Sequence, residues 1–350
     1  MLWRDAERTV YRSTRQRPGS AGEPPPVVGG GVRAAPRSSA ERLLHEFQLA
    51  DLLEPAWAVL PIEYVHSDSA LLLQDPGGDL LAHRAGTELS IAEVLRIGVH
   101  LSRAVAQMHD NGVLHKDIKP SNVFVLPSNA GVRLTGFGIA APVARERATP
   151  ASPEVIAGTF AYMSPEQTRR GGRSLDGRSD LYSLGITLYE LLTGALPFRA
   201  VEPAEWIHCH LARHPAPPGD RRAGVPAQLS AIILKLLNKA VEDRYQTAAG
   251  LHRDLVQCLS QWEAGESIER FPPGLQDRTT ELRFGEKLYG RDADVGALQA
   301  ACQRVVASGT RELVLVSGYS GVGKSSLVNK LQKTVATAHG RFAAGKLGQY

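Results

Sequence analysis

A carboxylate, an ammonium and a carboxamide stand close together in the stretch VLHKDIKPSNVFV (113–125): Asp117, Lys119 and Asn122, with His115 just ahead of them. A carboxylate so placed can accept the proton of a hydroxyl, and a side-chain amide can hold a metal ion. A second set occurs in GYSGVGKS (318–325), where Gly318, Gly321 and Gly323 precede Lys324 and Ser325. Glycines at that spacing let backbone N–H groups curl around a phosphate, which Lys324 would neutralise while Ser325 would contact a magnesium ion. Between the two sets, VRLTGFGIAAP (132–142) runs a short β-branched stretch into Thr135-Gly136-Phe137-Gly138. Gly136 brings no side chain to this turn.

The elements that must position these residues follow from the spacing of apolar and turn residues. RTVYRS, in residues 1–20, is strand-like, and PGSAGEPPPVVGGGVRAAP (18–36) is a Gly/Pro-rich loop around a weak strand. SSAERLLHEFQLADLL (38–53) opens with serine before a charged first turn and predicts a helix. VLPIEYVHSD and SALLLQDPGG predict a hairpin. From Ser90 the period becomes helical: SIAEVLRIGVHLSRAVAQMHDNG ends at Asn111-Gly112, and RSDLYSLGITLYELLTG (178–194) places Leu181, Leu184, Leu188, Leu191 and Leu192 on one face. Residues 229–240 and 248–262 predict further helices. A polar linker is expected over 263–286, then a new unit in which the apolar run ELVLVS predicts a strand entering Gly318.

Composition bounds the class. The chain has 350 residues, 43% hydrophobic and 22% charged, which suits a globular protein with more than one structural unit. A net charge of +4 with scattered basic residues argues against a nucleic-acid surface. No apolar run reaches the roughly 18 residues of a membrane span, and the N-terminus has no secretory pattern. Three widely spaced cysteines (Cys209, Cys258, Cys302), without a CxxC pair, suit reduced thiols in a cytoplasmic protein. Residues 1–115 contain no lysine.

The 113–125 stretch resembles the catalytic loop of the protein kinases, with His115, Asp117, Lys119 and Asn122 at that family's spacing. GTFAYMSPEQ (158–167) resembles the end of an activation segment, with Ser164-Pro165-Glu166 as its anchoring tripeptide. The helix at 178–194 resembles the central helix of the large lobe. The resemblance implies that Asp180 hydrogen-bonds the catalytic-loop backbone and that Arg244, in EDRYQT, pairs with Glu166. It is greatest to the bacterial serine/threonine type. It implies an α+β two-lobed fold: a small lobe over 1–80, a large lobe over 81–262, the linker 263–286, and an incomplete α/β P-loop NTPase segment over 287–350. LYGRDADVGALQAA (288–301) is similar to the entry of AAA-like signalling NTPases. ATP and Mg2+ are the cofactors the two resemblances imply. Asp117 would be the base, Asn122 and Ser325 metal ligands, and Gly318, Gly321, Gly323, Lys324 and Ser325 the phosphate cradle. Too little sequence follows Lys324 for a complete NTPase domain, so isolated NTPase activity is not expected.

Several positions depart from the kinase pattern. WRDAERTVYRS has no glycines for a nucleotide loop. Aligning PPVVGGGVRAAP with the family's third strand puts glycine, near Gly30, at its lysine position, and no lysine before Lys116 can take over. Arg33, within that stretch, is a candidate substitute, but a planar guanidinium does not reproduce an ammonium. Glu46, matching the helix glutamate, is therefore expected without its lysine. Gly136 replaces the metal-chelating aspartate. Removing one such electrostatic group typically costs about 3 kcal/mol, roughly a hundredfold in rate. Lys116 replaces the arginine of many regulated kinases, and Thr149, Ser152 and Thr159 are candidate phosphate acceptors.

The expected function is intracellular signal transduction by a catalytically impaired kinase-like unit, regulatory or scaffolding, joined to an ATP-binding segment. Its partners would be a protein or downstream signalling modules, with no nucleic acid and no membrane span. Two alternatives stay open: an active or weakly active serine/threonine kinase using Asp117 as base with Asn122 holding the sole metal, and a non-functional gene fragment.

Overall fold

In the computed structural model the described residues are 3–4, 9–13, 27–31, 37–143, 159–168, 175–277, 291–319, 324–329, 331 and 334–335. Five antiparallel strands form the first layer: β1 (Trp3–Arg4), β2 (Thr9–Ser13), β3 (Val27–Gly31), β4 (Pro61–Val65) and β5 (Ala70–Gln74), in the order β1-β2-β3-β5-β4. β3 is interior, with Gly30 opposite Val10 on one side and Leu71 on the other. The glycine expected at the lysine position thus lies within a paired strand. Helix α1 (Arg37–Gln48) packs on β4 and β5. Leu43 from it joins Val10, Val59, Leu71, Leu73 and Phe124 in a small apolar core.

The second part is built on helices. α2 (Ile91–Asp110) starts at a capping box, in which Ser90 accepts from the Glu93 N–H at 3.2 Å and Glu93 accepts from the Ser90 N–H at 3.1 Å. Its apolar stripe, including Leu95, Leu101, Val105 and Met108, is buried. Short strands follow: β6 (Asp79–Leu80) pairs with β8 (Val123–Val125), β8 with β9 (Val132–Leu134), and β7 (Val113–Leu114) with β10 (Ala141–Pro142). α3 (Gly177–Thr193) is capped by Asp176 and closed by Gly194. The sequence placed its leucines on one face, yet nearly every residue from Ser179 to Leu192 is buried. The helix is the axis of the large core, and neighbours cover all its sides. α4 (Pro203–Ala212), the short α5 (Pro218–Arg221), α6 (Ala227–Leu236) and α7 (Ala248–Gly265) surround it, with α2 against α7. Among the described residues, no helix is long and apolar enough to cross a membrane.

The stretch expected as a linker begins inside α7 and continues as a strap packed on the helical core as far as Asp277. Ile268 and Phe271 join the apolar cluster, and the Phe271 N–H donates to Gln228 Oε1 at 3.0 Å. The Gly274 N–H reaches Asp254 Oδ2 at 2.7 Å. Asp277 then closes the N-terminus of α7, accepting from the Gln246 N–H, from the Thr247 N–H at 3.1 Å and from Thr247 Oγ1 at 2.6 Å. Three donors at a helix start make this carboxylate a cap supplied from outside the helix. Asp277→Ala is expected to lower the unfolding free energy by about 1–2 kcal/mol, read as a lower urea midpoint; an unchanged midpoint would show that the strap is not held there.

Beyond the strap lie α8 (Asp292–Ser308) and α9 (Lys324–Asn329), which touch each other. The strand expected before Gly318 does not form: residues 309–319 carry no strand, and Leu313 and Leu315 are each 85% exposed. Among the described residues no second strand lies beside this segment, and a lone strand has no partner for its N–H and C=O groups.

Candidate active site

The 113–125 loop is hung from α3 by one buried carboxylate. Asp180 Oδ2 accepts from the His115 N–H at 3.0 Å and Oδ1 from the Lys116 N–H at 2.8 Å. His109, in the last turn of α2, bonds the same Oδ2 at 2.9 Å. Burial alone would push the Asp180 carboxyl up, but the hydrogen bond and charge of His109, with the charge and N–H of His115, hold it below its ordinary value. Lys116 pays for this arrangement with a left-handed backbone (φ 66°).

His115 links the loop to the glycine turn. The Asp117 N–H donates to His115 Nδ1 at 3.2 Å, so Nδ1 is the acceptor and Nε2–H donates to the Thr135 carbonyl at 3.0 Å. The Phe137 ring lies 4.7 Å from the imidazole and 5.9 Å from the Trp57 ring, fully buried. Gly138 meets α1 so closely that a Cβ would stand 2.8 Å from Arg42 Cβ and 3.1 Å from the Arg42 carbonyl oxygen. Gly138→Ala should therefore force α1 outward and destabilise by about 1–3 kcal/mol; an unchanged melting temperature would contradict that contact.

Asp117, Lys119 and Asn122 converge, as their spacing suggested. Lys119 Nζ lies 2.8 Å from Asp117 Oδ2. Asn122 Nδ2 donates to the Asp117 carbonyl at 2.7 Å and to Oδ2 at 3.1 Å. Thr159, one of the three candidate phosphate acceptors, joins this group. Its N–H donates to Asp117 Oδ1 at 3.2 Å and its hydroxyl accepts from Lys119 Nζ. Sequence spacing could not have found this contact, because forty-two positions separate the partners. Thr149 and Ser152 lie outside the described residues, as does Arg33.

Gly136 has φ 81°, and its N–H donates to Glu46 Oε1 at 3.0 Å. The buried α1 glutamate, expected to lack a lysine, thus engages the backbone of the turn. The donor set does not fit a chelated Mg2+ of the family type: position 136 supplies only backbone. Among the described residues, no three His, Cys, Asp or Glu side chains converge as a metal site.

Glu166, Arg244 and Ser179 form a separate cluster. Arg244 grips Glu166 with two hydrogen bonds of 2.7 and 2.9 Å, and Ser179 Oγ donates to Oε1 at 2.8 Å. Arg244 also lies over the Tyr182 ring at 4.9 Å and donates to the carbonyls of Asn238 and Arg178. Gln167, not singled out by the sequence, ties the same segment to the loop through the Lys116 carbonyl at 2.7 Å. In the phosphate-cradle motif, Lys324 Nζ donates to the carbonyls of Gly318 and Tyr319, each at 2.7 Å. Gly321, Gly323 and the Ser325 side chain lie outside the described residues.

Residues 38–256 match the protein kinase domain model and 287–350 the AAA ATPase domain model. Serine/threonine-protein kinase PknB of Mycobacterium tuberculosis is 44% identical over 149 residues, 43% of this chain and 23% of that protein. Serine/threonine-protein kinase Pkn1 of Myxococcus xanthus is 35% identical over 208 residues, 59% of this chain and 30% of that protein. Hybrid signal transduction histidine kinase G of Dictyostelium discoideum is 38% identical over 212 residues, 55% of this chain and 6% of that protein. The chain spans less than a third of the length of these relatives. It belongs to the protein kinase domain family, and its kinase domain is followed by an AAA ATPase domain segment.

Proposed function

We propose that the kinase domain is catalytically impaired and acts as a regulatory or scaffolding unit in signal transduction. The observation that carries this reading is the turn at Gly136, where a backbone N–H bound to Glu46 stands in place of a metal-chelating carboxylate. With no lysine before Lys116, both charge-handling groups of the nucleotide cleft are absent. Each such group typically contributes about 3 kcal/mol of barrier lowering, and losses within one unit are not additive. Small and large lobes over 1–80 and 81–262 would present a protein-binding surface, and ATP with Mg2+ would belong to the cradle of Gly318, Gly321, Gly323, Lys324 and Ser325. The partner would be a protein or a signalling module, a reading supported by the printed description of the Dictyostelium relative.

A second reading, a weakly active serine/threonine kinase, draws support from the assembled Asp117–Lys119–Thr159 group. In it Asp117 is the base, Lys119 steadies it, and Asn122 is the remaining metal ligand. Transfer of labelled γ-phosphate separates the two. The full chain carrying Lys324→Ala, which silences the second nucleotide motif, is compared with the same chain also carrying Asp117→Asn, with magnesium or manganese. No incorporation above the Asp117→Asn chain is expected. Incorporation that Asp117→Asn abolishes would replace the first reading with the second.

A further inference from the structure

His210, on α4, lies at the centre of a buried chain of hydrogen bonds that ends on the turn facing Asp117. Lys239 Nζ has only protons to give, and it donates to Tyr182 Oη at 3.1 Å. The phenol proton of Tyr182 is then directed to His210 Nδ1 at 3.0 Å, which makes that nitrogen an acceptor. The imidazole proton must therefore sit on Nε2, which donates to the Phe160 carbonyl at 2.8 Å. The same carbonyl accepts the Met163 N–H at 3.3 Å, so both of its lone pairs are used. The ring is completely buried, stacked on Trp206 at 5.9 Å and met edge-on by Phe198 at 5.6 Å and Tyr182 at 5.7 Å. Burial and the Lys239 charge hold the imidazole neutral, its pKa pushed down to about 3.

We infer that His210 is a positioning residue: through the Phe160 carbonyl it holds the 159–162 turn in register with the catalytic loop, so that Thr159 meets Asp117 and Lys119. Phe160 is the chain neighbour of Thr159, whose N–H and hydroxyl make those two contacts. A shift of the Phe160 carbonyl by the length of one hydrogen bond would carry Thr159 off the Asp117 carboxylate. The inference goes beyond the proposed function and does not depend on turnover, because the same turn would face a substrate or a docked protein.

The test is hydrogen exchange of the full chain, reading the Thr159 and Tyr162 amides, in His210→Phe and His210→Gln. Phenylalanine keeps the aromatic packing and removes the donor; glutamine restores an N–H that can reach the Phe160 carbonyl. In His210→Phe, exchange at these two amides should rise about fivefold or more, with the amides of α6 and α7 unchanged. In His210→Gln it should return to within about twofold of the parent protein. Unchanged exchange at Thr159 in His210→Phe, an equal rise in α6 and α7, or no recovery with glutamine would each overturn the inference. Should His210→Phe fail to fold, 15N-histidine spectra of the parent chain decide. They should show the Nε2–H tautomer from pH 5 to 8; the opposite tautomer, or a titration in that range, would overturn it.

Discussion

Gly136→Asp is expected to raise magnesium-dependent phosphate transfer from ATP to at least about a hundredfold above the Asp117→Asn background. The backbone at 136 is already left-handed, φ 81°, a region that aspartate enters more readily than most side chains. The strain, about 1–2 kcal/mol, falls on folding stability and not on the reaction barrier. The new carboxylate would lie beside Glu46, which accepts the position's own N–H. Two carboxylates so close repel until a divalent cation comes between them. The melting temperature of Gly136→Asp should therefore rise with magnesium more than that of the parent chain, and Gly136→Asn, isosteric but uncharged, should show neither effect. Magnesium stabilisation without transfer would assign the remaining deficit to the missing lysine. Absence of both would overturn the assignment of the proposed impairment to position 136.

Arg244→Ala is expected to cost about 3–5 kcal/mol of stability, a large share of the roughly 5–15 kcal/mol that holds a domain folded. The reason is the partner left behind. Glu166 is buried, and without Arg244 its charge would have only Ser179 as a side-chain donor among the bonds described above. Burial pushes the Glu166 carboxyl up; the Arg244 charge and hydrogen bonds more than reverse this, leaving it below its ordinary value of 4.5. A group held low in the folded state contributes stability above its unfolded pKa and loses it as pH falls through the folded one. The parent chain should accordingly weaken as pH drops below about 4.5, and Glu166→Gln should flatten that part of the profile while lowering stability at neutral pH. Urea midpoints across pH 3 to 7 measure both. A loss below about 1 kcal/mol in Arg244→Ala would mean that water or neighbours readily replace the pair.

The sequence by itself determined which side chains each motif carries. Asp117, Lys119 and Asn122 fall within one loop, so their convergence needed only a turn. The absence of lysine before Lys116 and the bare Gly136 are facts of composition that no folding can alter. The change to a helical period at Ser90 and the glycine stop at Gly194 were equally legible, because helix starts and stops are set by residues close in sequence; the Ser90–Glu93 capping box emerged with the structure. Tertiary structure alone decided what meets across the chain. Glu46 finds the Gly136 N–H ninety positions away, Thr159 meets Asp117 across forty-two positions, and Asp277 folds a supposed linker back onto α7. The apolar run before Gly318 had the pattern of a strand, yet carries no strand among the described residues. Periodicity records which face of an element is apolar; it carries no information on which distant donor or strand will arrive there.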